Sequence, residues 1–337
     1  MNLADRHLGG PHRGAGNGRL VTVFGGSGFV GRHVVRSLAR DGWLIRVAVR
    51  RPDLAGHLQP MGAVGQIAAV QANLRYPRSL AAALDGADAA VNLVGVLTKS
   101  GRQSLKAVNV DGAGAVAKAA TAAGVGQLLH LSALGAGAKA KSRYGRSKAA
   151  GEAAVLQGFR NAVLLRPSLI FGPEDDFFNR FAAMARMSPV LPLIGGGRSR
   201  FQPVYVGDVA AAVTASLAGS ARPGLTYELG GPEVLTFRKL LDKTQKWAGR
   251  DRRLISMPFW MAKLMALLTW PLPNSMRPLT VDQVRLLQSD VTVSEAALSE
   301  GRTLAGLGIA QPHTVDLMVP GYLECYRPRG QYSHYRG

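Results

Sequence analysis

Leu20-Val21-Thr22-Val23-Phe24-Gly25-Gly26-Ser27-Gly28-Phe29-Val30-Gly31 is the stretch that decides the fold. Its first half is a short apolar run of the kind that makes a buried parallel strand, and the glycines follow at once. A helix is predicted from about Val30 to Arg40, with Val30, Val34 and Leu38 on one face and Asp41-Gly42 closing it. Strand, glycines and helix in this order give a glycine pattern meaning, because the backbone N–H groups at the helix N-terminus then face an anion. Gly25 permits the tight turn, Gly28 lets the backbone approach a pyrophosphate, and Gly31 lets helix and strand pack closely. The plainer alternative is an ordinary strand-helix turn.

The second apolar run, Leu44-Ile45-Arg46-Val47-Ala48-Val49, ends in Arg50-Arg51. A dinucleotide fold that takes NAD places an acidic residue there for the ribose diol, whereas an arginine suits a 2′-phosphate. NADPH is therefore favoured over NADH, against the alternative of a solvated basic loop. Strand-like runs recur at Gln66 to Gln71, Ala89 to Val94 and Gln127 to Leu131, separated by Ala-rich helical segments such as Ser79 to Leu84 and Ala113 to Ala123. Repeated units of this length predict an α/β protein: a Rossmann-type doubly wound parallel sheet with a smaller, mostly helical C-terminal portion. The chain divides into a flexible basic arm (1–18), an NAD(P)-binding domain with pocket-forming segments (19–230), a C-terminal docking portion (231–320) and a basic Tyr/Arg tail (321–337).

With 337 residues, 47% of them hydrophobic, the chain is too apolar to be disordered and long enough for more than one small domain. Its 41 Lys and Arg against 21 Asp and Glu give a formal charge of +20, which excludes an acidic solvating protein. An anionic partner is implied: nucleic acid, a phosphate-bearing ligand, an acidic protein or an anionic bilayer. A single cysteine, Cys325, excludes an internal disulfide, and no His/Asp/Glu cluster has metal-ligand spacing, so no metal site is expected. Cys325 reads as a buried or bystander thiol and His130 as a packed histidine.

Met1 to Arg19 is polar and Gly-rich and lacks the apolar core of a secretory signal. Met257 to Met276 is apolar but interrupted by Lys263 and three prolines, too short for the roughly 20 apolar residues that span a bilayer. Two readings of it stay open. It is a core helix, or its Trp260, Met261, Leu264, Met265, Leu267, Leu268 and Trp270, flanked by Arg252, Arg253 and Arg277, lie in a membrane interface or against a membrane subunit.

Taken together, Gly25 to Gly31, Asn92-Leu93-Val94-Gly95, Asn109-Val110-Asp111-Gly112, Tyr144-Gly145-Arg146-Ser147-Lys148, Leu165 to Pro173 and Pro203 to Ala210 resemble the extended, atypical branch of the short-chain dehydrogenase/reductase superfamily. Within that branch, Leu128 to Ala136, Ser142 to Lys148, Phe171 to Phe181 and Gln202 to Val209 are similar to the 39-kDa accessory-subunit family of respiratory complex I and its bacterial relatives. The resemblance is strongest from Arg19 to about Val213. It implies NADPH held tightly in a structural role, without catalysis, at the junction of the peripheral and membrane arms. Other complex I subunits, and an anionic membrane surface or membrane-arm subunits, are the implied partners; no nucleic acid is expected. The implied location is peripheral, on the cytoplasmic or matrix side of an inner membrane.

Residues four apart on a helix share a face, so Tyr144 and Lys148 belong side by side. In catalytic members of the superfamily the lysine lowers the tyrosine pKa and holds the nicotinamide ribose, while the tyrosinate exchanges a proton with substrate. Here the usual catalytic hydroxyl aligns with Ala133 or Leu134, and the segment from Ser132 to Tyr144 is short. Tyr144 and Lys148 then serve the ribose without turnover. The alternative is a free NADP-dependent reductase or sugar-nucleotide epimerase in which both are catalytic. The cofactor-binding set that the resemblance implies is Gly25, Ser27, Gly28, Phe29, Val30, Gly31, Arg50, Arg51, Asn73, Leu93, Val94, Gly95, Ser132, Tyr144, Lys148, Pro167 and Ile170.

Overall fold

The computed structural model describes residues 18–269 and 279–328. Six strands follow one another in the sequence: β1 (Leu20–Phe24), β2 (Leu44–Val49), β3 (Ile67–Gln71), β4 (Ala89–Asn92), β5 (Gln127–Leu131) and β6 (Val163–Pro167). The chain then leaves the sheet for β7 (Ile170–Phe171), β8 (Val190–Ile194), β9 (Arg200–Phe201) and β10 (Val204–Tyr205), and returns as β11 (Thr226–Leu229). The main sheet has the order β11-β6-β5-β4-β1-β2-β3, and every pairing in it is parallel. Winding reverses between β1 and β4, so the loops leaving their carboxyl ends part and open a crevice there.

Strands covered on both faces are apolar along their length, which is why β1 and β2 show no alternation. Helix α1 (Phe29–Arg40) covers one face, while α2 (Pro77–Leu84), α3 (Ala113–Ala122) and α4 (Arg143–Gly158) cover the other. Helix α5 (Phe178–Met187) lies in the excursion after β6, and α6 (Val206–Ala215) joins α1, with Ser37 Oγ 2.8 Å from Thr214 Oγ1. Strand β4 ends at Asn92 and not at the expected Val94, because the Asn92 side chain accepts the Val94 N–H (3.1 Å) and turns the chain.

The C-terminal part is mostly helical, with β12 (Leu235–Thr236), α7 (Phe237–Trp247), β13 (Arg253–Met257), α8 (Phe259–Leu268), α9 (Val281–Leu286), α10 (Glu295–Ser299) and α11 (Val315–Leu323). It shares a second core with the excursion, built from Phe171, Phe178, Phe181, Phe201, Phe237 and Trp247. Edge-to-face aromatic contacts such as Phe177–Phe181 (5.1 Å) and Phe181–Phe237 (5.6 Å) hold it. Helix α11 runs through the boundary expected at 320. The arm at 1–17, Trp270, Arg277 and the tail at 329–337 lie outside the described residues.

Acidic side chains tie this part to helix α6 and to the excursion. Asp208 of α6 accepts the His313 N–H (2.7 Å) and lies 2.7 Å from His313 Nδ1, and Asp290 accepts both the backbone N–H and Nε of Arg200 at 2.8 Å. Helix α8 turns Ala262 and Ala266 inward and leaves Trp260 (68% exposed), Leu264, Leu267 and Leu268 (72%) in solvent. Among the described residues no helix is long and apolar enough to cross a membrane.

Candidate dinucleotide site

The loop after β1 separates the three glycine roles. Gly25 lies at φ +79°, open to glycine and strained for other residues. A Cβ at Gly31 would stand 2.3 Å from the Gly25 carbonyl oxygen, so α1 reaches the strand only without a side chain there. At Gly28 a Cβ would meet nothing closer than 3.4 Å, so the fold itself does not require that glycine. Gly28 is the extended N-cap of α1, no side chain caps the helix, and its first turn carries no acidic residue. Its free N–H groups and the positive end of the helix dipole are of the kind that attracts negative charge. Ser27 and Val30 are half-buried beside it, and Phe29 packs edge-on to His33 (6.0 Å).

Arg50 and Arg51 are both exposed at the end of β2; Arg51 pairs with Asp53 of the same loop at 2.8 Å. Asn73, after β3, accepts the Arg75 N–H through Oδ1 (3.2 Å) and is held by Ser79, so its side chain shapes the turn into α2.

Across the crevice the loop after β4 brings Leu93, Val94 and Gly95 opposite the glycine loop: a Cβ at Gly25 would lie 3.1 Å from Val94 Cγ2. A Cβ at Gly95 would lie 3.1 Å from Lys148 Nζ, which places the ammonium on the crevice floor. Lys148 is buried and donates to the Leu131 carbonyl (2.9 Å). Burial pulls its pKa down to about 8, opposed by the negative charge of Glu152. Tyr144, one turn earlier, is half-buried, and burial pushes its phenol up to about 12.

Beneath them, strand alternation puts His130 and Ser132 on the α3/α4 side. The Val94 N–H occupies Asn92 Oδ1, so the Asn92 amide nitrogen faces His130 Nδ1 (3.2 Å) and donates to it. His130 is then the Nε2–H tautomer and neutral, and burial holds its pKa down to about 3. Its Nε2 and the Ser132 Oγ are buried without a partner among the described residues. From Ala133 to Lys141 no residue carries a hydroxyl, and the Ser142 hydroxyl is occupied capping α4 through the Gly145 N–H (2.9 Å). Pro167 is buried and its carbonyl accepts the Leu134 N–H (2.8 Å); Ile170 packs on the first core.

Residues 21–230 match the NAD dependent epimerase/dehydratase family. The chain belongs to that family. Among curated relatives of this epimerase/dehydratase chain, NADH dehydrogenase (ubiquinone) 1 alpha subcomplex subunit 9, mitochondrial, of Arabidopsis thaliana is 37% identical over 88% of the chain and 76% of the relative. A protein of Caulobacter vibrioides named ceramide reductase is 32% identical over 88% of the chain and 93% of the relative. The solved Escherichia coli NADPH-dependent quinone oxidoreductase in complex with NADPH superposes with a TM-score of 0.70 at 21% identity, over 90% of the chain and 99% of that structure, and shows the shared fold.

Several site residues are not apparent as such in the sequence. Asn109 holds the Val96 backbone through both its amide atoms (2.9 and 3.0 Å) and reaches Ser147 Oγ (3.0 Å), fixing the loop that carries Gly95 against α4. Its place in Asn109-Val110-Asp111-Gly112 is a visible signal. Asp282 of α9 accepts the N–H groups of Arg143 (2.7 Å) and Tyr144 (2.9 Å), a contact that no local pattern announces.

Proposed function

We propose that this protein is an accessory subunit of a respiratory NADH:quinone oxidoreductase that holds NADPH for structural reasons, on the cytoplasmic or matrix side of the inner membrane. The observation that carries it is similarity to the Arabidopsis subunit over 88% of the chain, supported by a glycine loop and a buried Lys148 that face one crevice. Gly28 and the open end of α1 would take the pyrophosphate, Arg50 the 2′-phosphate, and Lys148 and Tyr144 the nicotinamide ribose. Ser132 and His130 offer the unpartnered polar atoms beneath. When bound, the nicotinamide is a hydride carrier. The chain's own contribution to such chemistry is poor, since no hydroxyl stands at 133–141 and the Tyr144 phenol is shifted away from easy proton exchange. Nucleotide binding instead stabilises the fold by linkage and so preserves the surface that meets the complex.

Two features support a membrane-side address. The exposed Trp260, Leu264, Leu267 and Leu268 face of α8 is apolar, and the formal charge is +20. Purification of the respiratory complex from source membranes in mild detergent, with mass spectrometry of its subunits and fluorescence detection of bound NADPH, tests the reading. A complex that lacks this polypeptide overturns it.

The second reading, a free NADP-dependent reductase, is favoured by the intact Tyr144 and Lys148 and by the near full-length similarity to the Caulobacter ceramide reductase. Steady NADPH oxidation by the isolated protein with a ceramide-type ketone, abolished by Tyr144→Phe, would select it.

A further inference from the structure

Five arginines meet where three chain segments come together: Arg186 in the last turn of α5, Arg250, Arg252 and Arg253 between α7 and the start of β13, and Arg327 shortly after α11. The contacts between these segments are direct. Arg252 donates through Nε to the Ala185 carbonyl (2.8 Å), and Arg327 donates through Nε to the Trp247 carbonyl (2.9 Å). A Cβ at Gly249 would lie 3.5 Å from Arg327 Cγ, and Arg253 is the register partner of Val190, just beyond the end of α5.

Helix carboxyl ends attract cations, and Arg252 and Arg327 answer that need for α5 and α7. The other three arginines are surplus to it. Arg186 and Arg253 are exposed, and among the described residues their side chains have no hydrogen-bond or ion-pair partner. Arg250 holds its Nε in the interior without an acceptor among those residues. A buried nitrogen of this kind is costly until an acceptor is supplied, and a planar guanidinium matches phosphate oxygens. The carboxylates of the same segments are Asp251, which is exposed, and Glu324, which is turned to Arg327 (3.8 Å).

The neighbourhood decides the source of the anion. Strand β13 runs from Arg253 to Met257, four residue steps or about 13 Å, and carries Ile255 (50% exposed) before the chain enters α8 with its exposed Trp260, Leu264, Leu267 and Leu268. Met187, beside Arg186, is 80% exposed. An acidic protein segment would satisfy the arginines and leave these apolar side chains in water. A bilayer interface satisfies both, with phosphates at the headgroup level and acyl carbons beneath.

We propose that Arg186, Arg250 and Arg253 form a phosphate site for an anionic lipid headgroup, framed by Arg252 and Arg327, at the edge of the apolar surface of β13 and α8. The site rests on the membrane-side address given above and is independent of the nucleotide.

The test is flotation of the full chain with vesicles of phosphatidylcholine, alone or mixed with phosphatidylglycerol. Wild type should partition onto the mixed vesicles. Arg186→Gln with Arg250→Gln and Arg253→Gln should lower that partitioning about a hundredfold, from about 1 kcal/mol per basic residue at an anionic surface. A control removes the same charge at exposed positions of the sheet part, Arg40→Gln with Arg160→Gln and Arg222→Gln, and should lose far less. Equal losses in the two triple variants overturn the proposal, since net charge alone then accounts for binding. Should the Arg250 change prevent folding, Arg186→Gln with Arg253→Gln, both already in solvent, should still lose roughly thirtyfold, and no loss overturns the site. Inorganic phosphate separates the sources: phosphate that displaces wild type from the mixed vesicles at millimolar concentration overturns the lipid assignment. Wild type that ignores the mixed vesicles yet purifies with the respiratory complex overturns the lipid site and leaves the subunit reading standing. Wild type that binds them and is absent from the complex sinks the subunit reading and leaves the site.

Discussion

The Asp282 carboxylate accepts the backbone N–H of Tyr144 at 2.9 Å, so an acidic residue from the C-terminal part completes the N-terminus of the helix that carries the crevice lysine. A cap normally comes from the preceding loop, and Ser142 supplies one here as well. The second cap arrives from the far side of the crevice. Asp282→Ala should cost about 1 kcal/mol, the usual worth of a cap. It should also raise amide exchange across both 279–290 and the first turn of α4. Loss of protection in α9 alone would mean that the two elements are not coupled.

Gly28 and Gly31 should behave as opposites. Gly31→Ala forces a methyl onto the Gly25 carbonyl and should lower stability by roughly 1–3 kcal/mol in urea melts. Gly28→Ala should melt close to wild type yet lose NADPH in fluorescence titrations, since only a ligand needs that space.

Removing the Arg50 guanidinium should weaken NADPH and spare NADH. A charge-assisted hydrogen bond to phosphate is worth about 1.5–3 kcal/mol, so Arg50→Ala should raise the Kd for NADPH at least about tenfold. Equal losses for both nucleotides would place the 2′-phosphate elsewhere.

Lys148 also predicts a pH dependence. Its folded pKa, about 8, is below the ordinary 10.5, so between those values the unfolded chain binds more protons than the folded one. Stability from this group therefore rises with pH from about 8 to 10.5 and is flat below. Urea melts at stepped pH should show that slope in the nucleotide-free protein and its loss in Lys148→Met.

The α8 face should separate folding from association. Trp260→Glu with Leu264→Glu alters side chains already in solvent, and its cost to stability should stay within about 0.5 kcal/mol per site. Binding to anionic vesicles or recovery with the respiratory complex should drop sharply. Unimpaired recovery would remove α8 from the interface.

Much of this was legible before the structure. The β1 glycine loop, the parallel sheet and the pairing of Tyr144 with Lys148 all follow from local periodicity. The Glu152–Arg166 ion pair was not, because it depends on β6 lying beneath α4, nor was Asp282, which meets Tyr144 only through the folding of the whole chain. Met257 to Met276 shows a third kind of limit. Apolar residues at helical spacing are equally compatible with a core and a surface, and the packing that decides between them puts two alanines inside and Trp260 outside.

The return of the chain to the sheet as β11 has a consequence for biosynthesis. Strand β6 is complete once Pro167 has left the ribosome, but its outer neighbour is not made until Thr226–Leu229 emerges, after the entire excursion. Until then Val163, Leu164 and Leu165 sit on an open edge with free backbone groups, a surface that invites pairing between nascent chains. A truncation ending at α6 would make that interval permanent, whereas one ending after Leu229 would close the edge while still lacking Asp282.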